Sequence, residues 1–213
     1  MTVNGWLLRP AAKPLLFVLL LLPLAWLVWG AVAGTLGANP AEALIRSTGD
    51  WTLRLLCLTL VVTPLRTVTG WHALARMRRM VGLFTFFYGV LHFLCFAWLD
   101  QGFDVAAILR DIAKRPFILV GSLALLLMLP LAATSFNRAI KALGAARWQA
   151  LHRLVYASAL LGVLHFFWMR SGKNDFAEVA VYAVVIGILL GWRLQRWWRG
   201  RPLKSRPSGS GLY

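Results

Sequence analysis

Three of the four histidines in this chain, His92, His152 and His165, fall inside segments apolar enough to cross a lipid bilayer. An imidazole there is costly and needs a partner that offsets its desolvation. On facing helices of a bundle that partner is most often a metal, above all the iron of haem, which accepts histidine nitrogens axially. His165 follows His152 by 13 residues, and His92 follows Arg79 by 13 and Arg78 by 14. At ~1.5 Å per residue, 13 helical residues span about 20 Å. The fourth histidine, His72, follows Trp71 in a polar loop and is read as solvated.

The composition requires a membrane to hold these residues. Of 213 residues, 60% are hydrophobic and only 14% are charged, and the mean hydropathy is +0.69. Soluble domains carry about 25% charged residues. A span needs ~20 mostly apolar residues, and six segments qualify: 14–33, 51–65, 80–99, 116–133, 151–169 and 176–192. The expected fold is an all-α integral membrane protein, a bundle of six transmembrane helices. The second segment is short and contains Arg54, so its start is expected nearer Ala43, with Arg54 snorkelling to the interface. The first segment exceeds the ~7–15 apolar residues of a signal peptide and is read as a retained helix. One domain, 1–200, is expected to carry the helices, and a basic, polar tail, 201–213, is expected to be disordered. No internal repeat is evident. Cys57 and Cys95 lie in apolar segments without a CxxC pattern and are read as buried free thiols.

Charge orients the bundle. Arg9 and Lys13, the loop with Arg66, Arg76, Arg78 and Arg79, the loop with Arg138, Lys141, Arg147 and Arg153, and the basic tail contain no acid. All seven acids lie on the other side. The positive-inside rule then places both termini in the cytoplasm. The formal net charge of +16 belongs to that face, whose partner is the anionic lipid surface; nucleic acid is not expected.

Helices three and five run in the same direction, so His92 and His165 come to matched depth in the outer half of the membrane. Such a pair can clamp one haem through both axial positions. His152 falls near the inner surface, where a metal ligand and a solvated side chain are both open readings. Thirteen residues leave His152 and His165 about 140° apart on an ideal helix, so a common ring stack requires a bend, for which Gly162 is available. Arg78 and His92 are only about 40° apart. Arg78 therefore points toward the seam of His92 at the depth of His152. A guanidinium stays protonated and is a poor iron ligand, so Arg78 suits a haem propionate or a flavin phosphate. Phe93, Phe96, Phe166, Phe167 and Trp168 are expected to pack on haem or lipid.

These axial histidine spacings resemble the transmembrane domain of ferric reductases and NADPH oxidases, with Arg78 standing where that superfamily has an inner histidine. Several segments are similar to its MsrQ (YedZ) family of haem-binding subunits: Leu22-Pro-Leu-Ala-Trp-Leu27, Gly37-Ala-Asn-Pro40, Arg78-Arg-Met-Val-Gly-Leu83 with Leu91-His92, Arg115-Pro116 with Ala133-Thr-Ser135, and Trp148-Gln-Ala-Leu-His152 with Leu164-His165. The resemblance implies haem b, one or two per chain, with His92, His165 and His152 as iron ligands, and an associated FMN. It implies an electron-transfer subunit of the bacterial inner membrane. Electrons would pass from membrane quinone, or from a cytosolic flavin reductase, to a periplasmic molybdenum-dependent methionine sulfoxide reductase. Two other readings are a haem-bearing anchor of a different quinone-linked oxidoreductase and a small transporter without cofactor.

Overall fold

The computed structural model describes residues 3–172 and 174–199. These residues form helices and turns, without strands among them. The helices are α1 (Val3–Leu7), α2 (Ala12–Val32), α3 (Pro40–Thr69), α4 (Ala75–Cys95), α5 (Val105–Lys114), α6 (Pro116–Ala133), α7 (Asn137–Leu143), α8 (Ala145–His152), α9 (Leu154–Ser171) and α10 (Ala177–Arg199). A tight turn, His72–Leu74, leads into α4, and wider π-type turns, Phe96–Asp100, continue it. Six helical stretches are long and apolar enough to cross a membrane: α2, α3, His72–Asp100, α6, Ala145–Ser171 and α10. The expected tail, 201–213, lies outside the described residues.

The second and fifth spans refine the sequence reading. α3 begins at Pro40, close to the start expected near Ala43, because Asn39 caps it by accepting the Glu42 N–H and proline suits the first helical position. Its outer turns carry Glu42, Arg46 and Asp50 at four-residue spacing, a polar stripe that lines a cavity instead of facing lipid. Arg54 therefore sits midway along α3, where its guanidinium covers the Trp51 ring. The fifth span is also interrupted. α8 ends at His152 and α9 starts at Leu154, so the interruption falls at Arg153, while Gly162 lies inside unbroken α9.

The helices assemble chiefly as two packed pairs, α3 with α4 and α6 with α9. One core joins the first pair to α2 through Leu20, Leu55, Val81, Phe84 and Tyr88. A second joins α3, α9 and α10 through Leu56, Leu60, Ala159, Ile186 and Leu189. Apolar side chains such as Trp26, Val32, Leu126 and Val184 stay exposed on the outside, where lipid solvates them. Some polar contacts between helices are buried. The Tyr88 hydroxyl donates to the Leu20 carbonyl (2.9 Å) and accepts from the Leu24 N–H (3.1 Å), entering a turn of α2 next to Pro23. Tyr88→Phe should therefore lower stability by about 1–3 kcal/mol, since it strips a partner from buried backbone groups. A thermal midpoint in detergent equal to that of the unaltered chain would show that α2 closes this turn unaided.

Candidate functional site

His92 stands on α4 and His165 on α9, and the two helix pairs bring their rings to 6.0 Å between centroids. Each ring is fixed by the partner helix of its own pair. The His92 Nδ1–H donates to the Ile45 carbonyl of α3 (2.8 Å), and the His165 Nδ1–H donates to the Phe117 carbonyl of α6 (2.6 Å). A carbonyl can only accept, so both neutral rings keep their lone pair on Nε2, the nitrogen left for a metal. Metal–imidazole bonds of ~2 Å, with ring radii of roughly 1 Å, set the two ring centres of a doubly ligated metal roughly 6 Å apart. The observed spacing fits that arrangement.

The two histidines line a cavity of about 510 Å³ between the helix pairs, within the roughly 300–1,000 Å³ of cofactor pockets. Its walls are mostly apolar and include Phe93, Phe96, Phe166, Leu125 and Met128. Phe167 and Trp168 do not line the cavity and are exposed, which leaves the lipid alternative of the expectation for them. Three arginines reach the cavity, none of them read as a site residue from the sequence. Arg46 pairs with Glu42, Arg115 with Asp111, and Arg170 with Asp175 and Glu178. The Arg170 Nε is buried without a hydrogen-bond partner. Among the described residues no three His, Cys, Asp or Glu side chains are grouped to hold a bare metal ion. A pair of imidazoles facing an apolar cavity suits a metal that brings its own equatorial ligands, as haem iron does.

His152 and Arg78 do not line this cavity. The His152 Nδ1–H donates to the Trp148 carbonyl one turn back (3.0 Å), and its ring stacks on the Trp148 indole at 3.8 Å. The indole N–H in turn donates to the carbonyl of Thr134, the residue that caps the end of α6 (3.0 Å). The His152 Nε2 is shielded from solvent, although the side chain as a whole is only half-buried, and the Leu131 carbonyl of α6 lies near the ring. Arg78 donates to the Thr63 hydroxyl of α3 (3.2 Å) and lies within electrostatic reach of Arg66, Arg193 and His152. No carboxylate among the described residues pairs with Arg66, Arg78 or Arg193. Such a cluster suits an anionic group. His72 is exposed, and Cys57 and Cys95 are free thiols.

The site is built from two similar halves, which revises the absence of a repeat. Gly89-Val-Leu-His-Phe93 on α4 and Gly162-Val-Leu-His-Phe166 on α9 are identical pentapeptides. In each, the glycine, the histidine and the phenylalanine line the cavity. The partner helices correspond too: the accepting carbonyl of Ile45 precedes Gly49 by four residues, and that of Phe117 precedes Gly121 by four. The pentapeptide is a signal the sequence carries openly. The two partner-helix positions have no such mark, because a carbonyl acceptor can belong to any residue.

Comparison with known proteins agrees with this architecture. Residues 48–163 match the family described as ferric reductase like transmembrane component. A protein of Polaromonas naphthalenivorans called protein-methionine-sulfoxide reductase heme-binding subunit MsrQ is 66% identical over 91% of this chain and 88% of its own length. The proteins of the same description from Ralstonia nicotianae and Rhodospirillum rubrum are 54% and 51% identical over 89% and 84% of this chain, and over 88% and 85% of their own lengths. No solved structure matches the chain.

Proposed function

The chain belongs to the ferric reductase-like transmembrane family and, within it, to the MsrQ haem-binding subunits, and from that premise we propose that it carries electrons across the bacterial inner membrane to a periplasmic methionine sulfoxide reductase. It is a multi-pass haem-binding membrane subunit of a methionine sulfoxide reductase system. The observation that carries the electron-transfer reading is the His92–His165 pair, 6.0 Å apart across an apolar cavity with both Nε2 atoms left as ligands. When bound, haem supplies a one-electron Fe(III)/Fe(II) couple. His92 and His165 would hold its iron, Ile45 and Phe117 fix the two rings, and the phenylalanines would keep the surroundings dry, which would tune the potential.

The inner site has a different role. Where a second haem is held, His152 would be its ligand, and Arg78, with Arg66 and Arg193, would hold an anionic group there, a haem propionate or the phosphate of FMN. The loop charges support both termini on the cytoplasmic side, so the inner site faces the electron donor and the His92–His165 site faces the periplasmic acceptor. The donor is membrane quinol or a cytosolic flavin reductase, and the acceptor is the molybdenum-dependent catalytic subunit. Proteoliposomes holding the full chain, a quinol and the purified reductase test this route. We expect quinol to reduce the b-type bands, and the reductase with methionine sulfoxide to reoxidise them. Reduction without reoxidation would favour an anchor of another quinone-linked enzyme. Reduction only by the flavin reductase would move the donor to the cytoplasm.

A further inference from the structure

Each axial imidazole lies against a glycine of the partner helix. A β-carbon added at Gly121 would stand 2.7 Å from the His165 Nδ1 and 2.9 Å from its Cε1. One added at Gly49 would stand 3.1 Å from both the Nδ1 and the Cε1 of His92. The neighbours are atoms of a rigid ring that is itself hydrogen-bonded, not the far end of a flexible chain. In a helix the side chain of residue i+4 lies beside the carbonyl of residue i. The hydroxyls of Thr52 and Thr59 do this in α3, each reaching the carbonyl four residues back at 2.9 Å. Gly49 and Gly121 stand at that position relative to Ile45 and Phe117. Without a β-carbon they leave the carbonyl's free lone pair open to a donor from another helix.

Resting on the haem reading of this site, we propose that Gly49 and Gly121 are positioning residues for the axial ligands. Each bares one helix carbonyl so that an imidazole can approach, donate its Nδ1–H and turn Nε2 toward the iron. Alanine at either position pushes the ring off its carbonyl. A ring without that bond is a weaker electron donor and is no longer held in one orientation. Ferric iron is then less stabilised, so the midpoint potential rises, and ligation on that side loosens. The tighter contact makes Gly121 the more sensitive of the two.

The test uses the full chain in detergent with haem b, comparing Gly121→Ala, Gly49→Ala and Gly187→Ala. Gly187 lies in α10, and a β-carbon there meets nothing within 4 Å, so its variant controls for a helical glycine as such. Gly121→Ala should lower haem affinity about tenfold or more, add a high-spin signal to the ferric electron paramagnetic resonance spectrum and raise the midpoint potential. Gly49→Ala should move in the same direction by less, and Gly187→Ala should match the unaltered chain. A folded Gly121→Ala chain with unchanged spin state and potential would overturn the proposal. If Gly121→Ala does not assemble, Gly49→Ala decides by the same criterion. An unaltered chain that binds no haem defeats the underlying reading instead, and is recognised before any glycine variant is compared.

Discussion

Purified His92→Ala and His165→Ala chains are expected to lose most of their outer-site haem. Each substitution removes one of the two proposed ligands and leaves a carbonyl, Ile45 or Phe117, without its donor. The remaining imidazole cannot compensate, because its ring is fixed by a different helix pair and cannot cross the cavity. The effect is expected to be large, since ligation by both sides is what closes the cavity around the iron. Free imidazole supplied to His165→Ala should restore part of the low-spin signal by entering the space the side chain leaves. Haem content and absorption spectra after purification measure both effects. If both substitutions left the spectrum intact, the ligand assignment would be wrong.

His152→Ala should lower iron from two atoms per chain to one while leaving the signature of the His92–His165 site unchanged. His152 holds an Nε2 shielded from solvent, and an unsatisfied buried nitrogen costs roughly 1–3 kcal/mol. Its orientation is enforced through Trp148, whose indole is itself tied to α6. A shielded nitrogen held beside cations that lack carboxylate partners is what motivates the ligand reading. Iron analysis of the unaltered and substituted chains decides the matter. Two iron atoms in both would remove His152 as a ligand, and one in both would assign the inner site to the flavin or quinone.

The membrane class and the pairing of His92 with His165 were legible in the sequence, because apolar length and the helical rise are local properties. Six spans follow from hydropathy, and the depths of the two histidines follow from counting residues. The start of α3 near Ala43 was legible, but the role of its first turns was not, because Glu42, Arg46 and Asp50 carry no mark of the cavity they line. The break at Arg153 was not legible either, since neither glycine nor proline marks it, whereas the available Gly162 packs within helix α9 against Leu53 of α3. The repeated Gly-Val-Leu-His-Phe was visible in the chain alone. Its meaning depends on Ile45, Gly49, Phe117 and Gly121, whose roles are set by a neighbouring helix and not by their own residue type.

The most direct measurement is a reduced-minus-oxidised difference spectrum of the purified full chain, taken with electron paramagnetic resonance of the oxidised form. The account predicts b-type bands and a low-spin ferric signal from iron held by two imidazoles. A flat difference spectrum from folded protein would contradict it and leave a six-helix membrane protein without a redox centre.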